Sequence, residues 1–235
     1  MSVLYLIPTP ISENSLQSVI PQNVFDEVKK IKQFIVEDLR TARRFLSKIG
    51  HTAGIDNMNF RIVNEHTKEQ EIAPLLPYLL ENDTGLLSEA GAPSVADPGA
   101  KIVKLAHDNG IKVIPLSGPS SILMAIMASG LNGQSFAFTG YIPVKPKERI
   151  EKIKFLEKRS EKEKQTQIFI ETPYRNMKLF EELINVCKPD TLLTIAADIT
   201  GKNEFILTKS IREWKNKSKE VNLNKIPAVF LLQGV

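Results

Sequence analysis

Short apolar runs alternate with segments of helical period along the first half of the chain. Leu4 to Ile7, Phe34 to Val36 and Lys112 to Leu116 read as strands, Leu86 and Leu87 end another, and Phe60 to Val63 is a possible short one. Between them, Val24 to Lys32 and Leu39 to Ile49 carry apolar residues at spacings of three and four. Lys68 to Leu80 reads as mostly helical, with Pro74 and Pro77 restricting where its turns can start, and Pro98 to Asn109 as a helix stopped by Gly110. Strands that alternate with helices predict a mostly parallel sheet.

The pattern changes after Pro119. An apolar helix, Ile122 to Ser129, ends at Gly130. Strand-like runs then follow at Phe136 to Tyr141, Gln167 to Ile170, Leu192 to Ala197, Phe205 to Thr208 and Ala228 to Leu232, the later ones with no long helix between them. Short connections imply antiparallel pairing. The expected class is α/β in two domains: an N-terminal, mostly parallel βα sheet domain over 1–117 and a C-terminal mixed-sheet α/β domain over 118–235.

Composition narrows the class without deciding it. Hydrophobic residues make up 42% and charged residues 25% of 235 residues, ordinary for a globular chain with a real core. No apolar run approaches the roughly 20 residues that cross a bilayer, and MSVLYLIPTP lacks the basic flank and long apolar region of a signal peptide, so the chain reads as cytoplasmic. The single Cys187 has no cysteine partner for a disulfide or zinc site and reads as a small buried hydrophobe. Charge is unevenly divided: residues 1–140 hold 12 basic and 14 acidic side chains, residues 141–235 hold 19 and 13. Lys145 to Lys164 has nine basic and five acidic residues, and Lys209 to Lys225 has six and two. Phosphate attraction is one reading of these stretches and a solvated helix face the other, the alternating first stretch favouring the face and the less balanced second leaving nucleic acid more credible.

Candidate chemistry concentrates in LLSEAGAPSVADPGAKIVKLAHDNGIKVIPLSGPSS, Leu86 to Ser121. Two glycine- and proline-rich turns directly follow two strands, the arrangement in which an open α/β sheet admits a small ligand beyond its strand ends. Asp97-Pro98 also reads as a helix start, with Asp as cap and Pro at the first helical position. Glu37-Asp38-Leu39-Arg40-Thr41 places two carboxylates and an arginine at a strand end, able to anchor or deprotonate a substrate; capping by Asp38 with a surface ion pair is the structural alternative. Glu171-Thr172-Pro173-Tyr174-Arg175 closes another strand as a plausible substrate clamp. There is no G-x-x-x-x-G-K-[ST], G-x-G-x-x-G or G-x-S-x-G, His51, His66 and His107 are not at metal-ligand spacing, and His51 and His66 read as surface loop residues.

SEAGAPSVADPG followed by PLSGPSS, FTGYIPVKPKER and FIETPYRN resembles the tetrapyrrole methylase superfamily, and within it the 16S ribosomal RNA 2′-O-ribose methyltransferase I group. LYLIPTPI from Leu4 and VEDLRT from Val36 are similar to that group's first motifs, so the resemblance spans residue 4 to about 180. It implies a two-domain, tetrapyrrole-methylase-like α/β fold, usually a homodimer, that binds S-adenosylmethionine between its domains; the histidine spacing and lone cysteine add no metal to that expectation. Carried over by position, cofactor contacts fall on Glu89, Gly91, Ala92, Val95, Asp97, Ser120 and Ser121, with Pro227 and Ala228 in a proline-alanine strand. Glu37, Asp38 and Glu171 are the candidates for polarising or deprotonating a ribose hydroxyl; Arg40, Tyr174 and Arg175 are the candidates for binding RNA from the small ribosomal subunit.

The chain departs from the group at three places. Ser12-Glu13-Asn14 stands where Gly-Asn-Leu is usual, Ala197-Asp198-Ile199-Thr200-Gly201-Lys202 replaces Arg-Glu-Leu-Thr-Lys, and the chain stops soon after its last strand without the group's C-terminal extension. Three functions therefore stay open: an RNA ribose methyltransferase, a methyltransferase acting on a tetrapyrrole-like small molecule, and a cofactor-binding module without catalysis.

Overall fold

The computed structural model describes residues 2–12, 15–51, 54 and 57–235, so Glu13 and Asn14 of the altered first loop lie outside the described residues. The chain divides into two compact units, Met1–Ser120 and Ser121–Val235.

In the first unit five parallel strands, β1 (Val3–Ile7), β2 (Gln33–Val36), β3 (Asn59–Ile62), β4 (Thr84–Leu87) and β5 (Lys112–Pro115), form a sheet of order β3-β2-β4-β1-β5. The helices are α1 (Leu16–Val19), α2 (Gln22–Val28), α3 (Leu39–Lys48), α4 (Leu76–Glu81) and α5 (Ala100–Asp108). The two connections after β1 and β2 run one way across the sheet and the two after β3 and β4 run the other way. Right-handed crossovers then require helices on opposite faces. The core agrees: Ile7, Phe34, Val36 and Leu87 pack with α2 and α3 through Val24, Phe25, Val28, Phe45 and Leu46. Leu4, Ile35 and Leu86 pack on the other side with Leu79 of α4 and with Ile102 and Ala106 of α5. Gly85 sits where this packing is tightest, since a Cβ there would come within 2.5 Å of Ile7 Cδ1 and 2.7 Å of Phe34 Cδ1.

Several element boundaries differ from the sequence expectation. The helix expected over Val24 to Lys32 is α2, which starts two residues earlier and ends at Val28, with the short α1 ahead of it. Lys68 to Leu80 divides at its prolines into 3-10 turns at Glu69–Glu71 and Ala73–Leu75 and then α4, which carries Pro77 near its start. Asp97-Pro98 does not begin a helix: α5 starts at Ala100 with Gly99 as its cap, because the Asp97 carboxylate serves the loop before it.

The second unit holds β6 (Phe136–Tyr141), β7 (Thr166–Ile170), β8 (Leu192–Ala197), β9 (Phe205–Ser210) and β10 (Ala228–Gln233) in the order β6-β7-β10-β8-β9. Only β6 and β7 run parallel; the other pairs are antiparallel. Its helices are α6 (Ser121–Ser129), α7 (Pro146–Glu163), α8 (Asn176–Val186) and α9 (Ile211–Lys217). The eleven-residue α8 between β7 and β8 is a correction, for the sequence reading placed no long helix between the later strands. α7, α8 and α9 cover one face through Ile153, Leu156, Leu179, Phe180, Leu183 and Trp214, while α6 covers the other through Ile122, Ala125 and Ile126. Cys187 is buried, as read, and burial with Glu157 beside it pushes its thiol pKa far up. Among the described residues no helix is long and apolar enough to cross a membrane.

Candidate active site

Adjacent strands whose connections leave in opposite directions open a crevice at their carboxyl ends, and in the first unit those strands are β1 and β4. The loops that follow them are joined there. Thr9 N–H donates to Gly91 O at 2.9 Å and Gly91 N–H to Thr9 O at 3.0 Å. The loop after β5 completes the cluster: Leu116 N–H donates to Leu6 O at 2.9 Å, Gly118 lies directly against the Pro8 ring, and Pro119 O would be 3.6 Å from a Cβ on Gly91. The two glycine-bearing turns singled out in the sequence are therefore brought together in one strand-end cluster.

The loop from Ser88 to Gly99 has an unusual backbone. Gly91, Ser94 and Ala96 have φ of 79°, 67° and 64°, and for the serine and alanine that conformation is strained. Asp97 holds it in place, Oδ1 accepting from Ser94 N–H at 2.8 Å and from Gly99 N–H at 2.9 Å. Gly99 has room for nothing larger, since a Cβ would meet Ser94 Oγ at 2.9 Å. Asp97 Oδ2 and Ser94 Oγ are buried without a partner among the described residues. Burial raises the Asp97 pKa against the lowering effect of its N–H donors. A small, open pocket is lined by Glu37, Val63, Leu86, Leu87, Ser88, Pro93, Asp97, Pro98 and Gly99.

The two carboxylates after β2 divide in role. Asp38 caps α3, accepting from Thr41 N–H at 2.7 Å, and this hydrogen bond lowers its pKa. Glu37 faces the pocket; burial raises its pKa, and the Glu89 N–H, 3.2 Å from Oε2, only partly offsets that. Arg40 is exposed on the first turn of α3.

In the second unit the β7 end carries a denser arrangement. The Glu171 side chain is fully buried; its Oε1 accepts from Arg175 Nη2 at 2.6 Å and from Thr172 N–H at 2.7 Å. Burial pushes the Glu171 pKa up, but Arg175 and the Thr172 N–H outweigh it and hold the carboxyl below its ordinary value. Arg175 also donates to Tyr174 Oη at 3.2 Å and lies 5.0 Å from the centre of that exposed ring. Glu171 Oε2, Thr172 Oγ1, Arg175 Nε and Asn176 Oδ1 are buried and have no partner among the described residues. Ser120 closes the first unit and Ser121 opens α6; Pro227 is exposed ahead of β10, whose first residue Ala228 pairs with Ala197. The departure after Ala197 is a tight turn, with Asp198 and Thr200 at positive φ and Asp198 Oδ2 accepting from Asn203 N–H at 2.9 Å.

A family model for Tetrapyrrole (Corrin/Porphyrin) Methylases matches residues 4–215. The chain belongs to that family. Curated relatives agree at higher resolution. Ribosomal RNA small subunit methyltransferase I of Vibrio cholerae is 31% identical over 99% of this chain and 77% of its own, and that of Bacillus subtilis 31% identical over 93% and 72%. The Escherichia coli O157:H7 protein of the same name is 29% identical over 98% and 77%. A crystal structure of the methyltransferase CobJ matches with a TM-score of 0.65 over all of this chain and 95% of that one, at 14% identity, and shows the shared fold. This tetrapyrrole methylase thus groups with the small subunit methyltransferase I proteins and is a methyltransferase whose methyl donor is S-adenosylmethionine.

The first unit suits such a donor. Backbone approaches closely at Gly91 and Gly118, and the orphaned Ser94 Oγ and Asp97 Oδ2 offer hydrogen-bonding positions for a polar ligand. Sequence reasoning gave Thr9 and Ser94 no role of their own in this cluster. Thr9 stood within the quoted first motif, but the positive φ of Ser94 leaves no mark on residue type. His51 is corrected: it is buried, with Nε2 2.7 Å from Ile31 O and its ring edge-on to Phe34. His66 is exposed.

Proposed function

We propose that this methyltransferase methylates a ribose 2′-hydroxyl of small-subunit ribosomal RNA. The observation that supports the reading is the joined strand-end cluster of the first unit, in a chain similar over almost its whole length to ribosomal RNA small subunit methyltransferase I proteins. Glu89, Gly91, Ala92, Val95, Asp97 and Ser120 are the proposed cofactor contacts of the first unit; Ser121, Pro227 and Ala228 are those of the second. Bound S-adenosylmethionine supplies a methyl group already carried on a good leaving group. The chain must align the hydroxyl oxygen, exclude water and accept the hydroxyl proton.

Glu37 suits the last task, because burial makes its carboxylate a stronger base than an ordinary one. Asp38 and Glu171 are weaker bases and are proposed as positioning groups, Asp38 fixing the start of α3 and Glu171 aiming Arg175. Arg40 and Arg175 meet phosphate and Tyr174 offers its ring to a base. In this reading the protein works in the cytoplasm as a homodimer; α6 leaves Leu123 and Met127 exposed, 51% and 82%, as apolar surface for a second copy. Incubation with methyl-labelled S-adenosylmethionine and unmodified small subunits should place the label in RNA. Label on an added porphyrin precursor instead, or binding without transfer to either, would replace this reading with one of the other two.

A further inference from the structure

The Lys145 to Lys164 stretch is balanced in sequence but not in space. In α7 the buried side is made by Arg149, Ile153, Leu156, Glu157 and Ser160. Its acidic side chains are mostly engaged: Glu148 with Lys145, Glu163 with Arg159, Glu161 with Lys188, and buried Glu157 with Lys188 N–H and the Thr191 hydroxyl. At 100° per residue, Lys147, Lys154, Lys158 and Lys162 fall within one narrow sector opposite the buried side. All four are exposed and make no ion pair among the described residues; Glu151 is the one acidic residue in the sector. Phe155, 55% exposed, flanks them, with Lys152 Nζ 5.3 Å from its ring centre. The stripe runs along about 22 Å of helix at 1.5 Å per residue.

We propose that this stripe is a docking surface for the phosphate backbone of the RNA, which rests on the proposed acceptor being RNA. A row of unpaired ammonium groups on a rigid helix complements a line of phosphates, and an aromatic ring beside it can stack on an unpaired base. None of the four lysines is among the proposed cofactor or catalytic residues, so the stripe governs binding and not the chemical step.

The test compares the wild-type protein with the triple variant Lys154→Gln, Lys158→Gln, Lys162→Gln and with the control Lys145→Gln, Lys188→Gln, whose lysines are paired with glutamates. Affinity for a fluorescent small-subunit ribosomal RNA fragment is measured across a salt series, alongside methyl transfer. The triple variant should lose about 2–3 from the slope of log affinity against log salt, at roughly 0.7–0.9 for each phosphate contact. Its KM for RNA should rise at least about tenfold, with kcat within about twofold and thermal stability unchanged. An unchanged slope, or an equal loss in the control, overturns the proposal. A loss seen with assembled subunits but not with naked RNA assigns the stripe to a protein partner and overturns it too. A wild-type protein that binds the fragment with the expected slope yet methylates no RNA upholds the stripe and removes the proposed acceptor chemistry.

Discussion

Replacing Gly118 with alanine tests whether the strand-end loops of the first unit must lie in contact. A Cβ at that position would overlap Pro8 Cβ and Cγ, far inside the 3.4 Å where ordinary contact begins. The proline ring cannot rotate away, and Leu116 N–H is tied to Leu6 O two residues before the glycine, so the β1 and β5 loops must separate. Overpacking of this kind costs about 1–3 kcal/mol. Because Gly118 is exposed, part of the strain relaxes by moving the loop outward, and the same movement disturbs the cofactor contacts proposed for the joined loops. Calorimetric titration with S-adenosylmethionine should show affinity reduced by about 5–50-fold, equivalent to roughly 1–2 kcal/mol. Thermal denaturation should shift down by about 2–4 °C for each kcal/mol lost. Gly133→Ala is the matched control, since a Cβ there meets nothing within 4 Å and should leave both measurements unchanged. Equal affinities for the G118A and wild-type proteins would refute the reasoning that loop contact shapes the cofactor site.

Other outcomes follow from single groups. Glu37→Gln should lower kcat by roughly 10²–10⁴-fold, and the wild-type rate should fall as pH drops through a pKa above that of an ordinary carboxylate; a flat acid limb would remove Glu37 as base. The same substitution should not lower thermal stability. A raised carboxyl pKa contributes stability that is fully present below the unfolded pKa and is lost as pH rises through the folded value, so near neutrality the buried charge is a liability that glutamine removes. Arg149, 2% exposed, is braced by both carboxylate oxygens of Glu182 and donates to Val144 O at 2.9 Å. Glu182→Ala should cost about 3 kcal/mol in urea unfolding, and more than Arg149→Met, because it strands a buried charge; the reverse order would contradict that account. Cys187, buried with its thiol pKa raised, should resist a thiol reagent in the folded protein and react promptly once urea unfolds it.

Much of this fold was legible in alternation alone. Leu4 and Ile7 or Ile35 and Val36 announce strands because their sheet is covered on both faces, and the glycine-rich turns after β4 and β5 announce where backbone must come close. What escaped was set by contacts distant in sequence. Asp97-Pro98 carries the local signal of a helix start, yet the carboxylate is claimed by Ser94 and Gly99 N–H groups in a loop with two strained residues, and α5 begins later. His51 has the neighbours of a loop residue but is drawn in by Ile31 O and Phe34. The candidate site shows in the sequence as motifs without roles: Glu37 and Asp38 are adjacent and chemically alike, and only the α3 cap and the pocket give them opposite pKa shifts. The charge alternation of α7 likewise hid a paired face and a free one.

The most direct measurement is nucleoside mass spectrometry of small-subunit ribosomal RNA from cells lacking this gene, complemented with either the wild-type or the Glu37→Gln protein. The account predicts one 2′-O-methylated nucleotide restored by the wild-type protein and not by the variant. Restoration of a base methyl group, or of no RNA methylation at all, would contradict it.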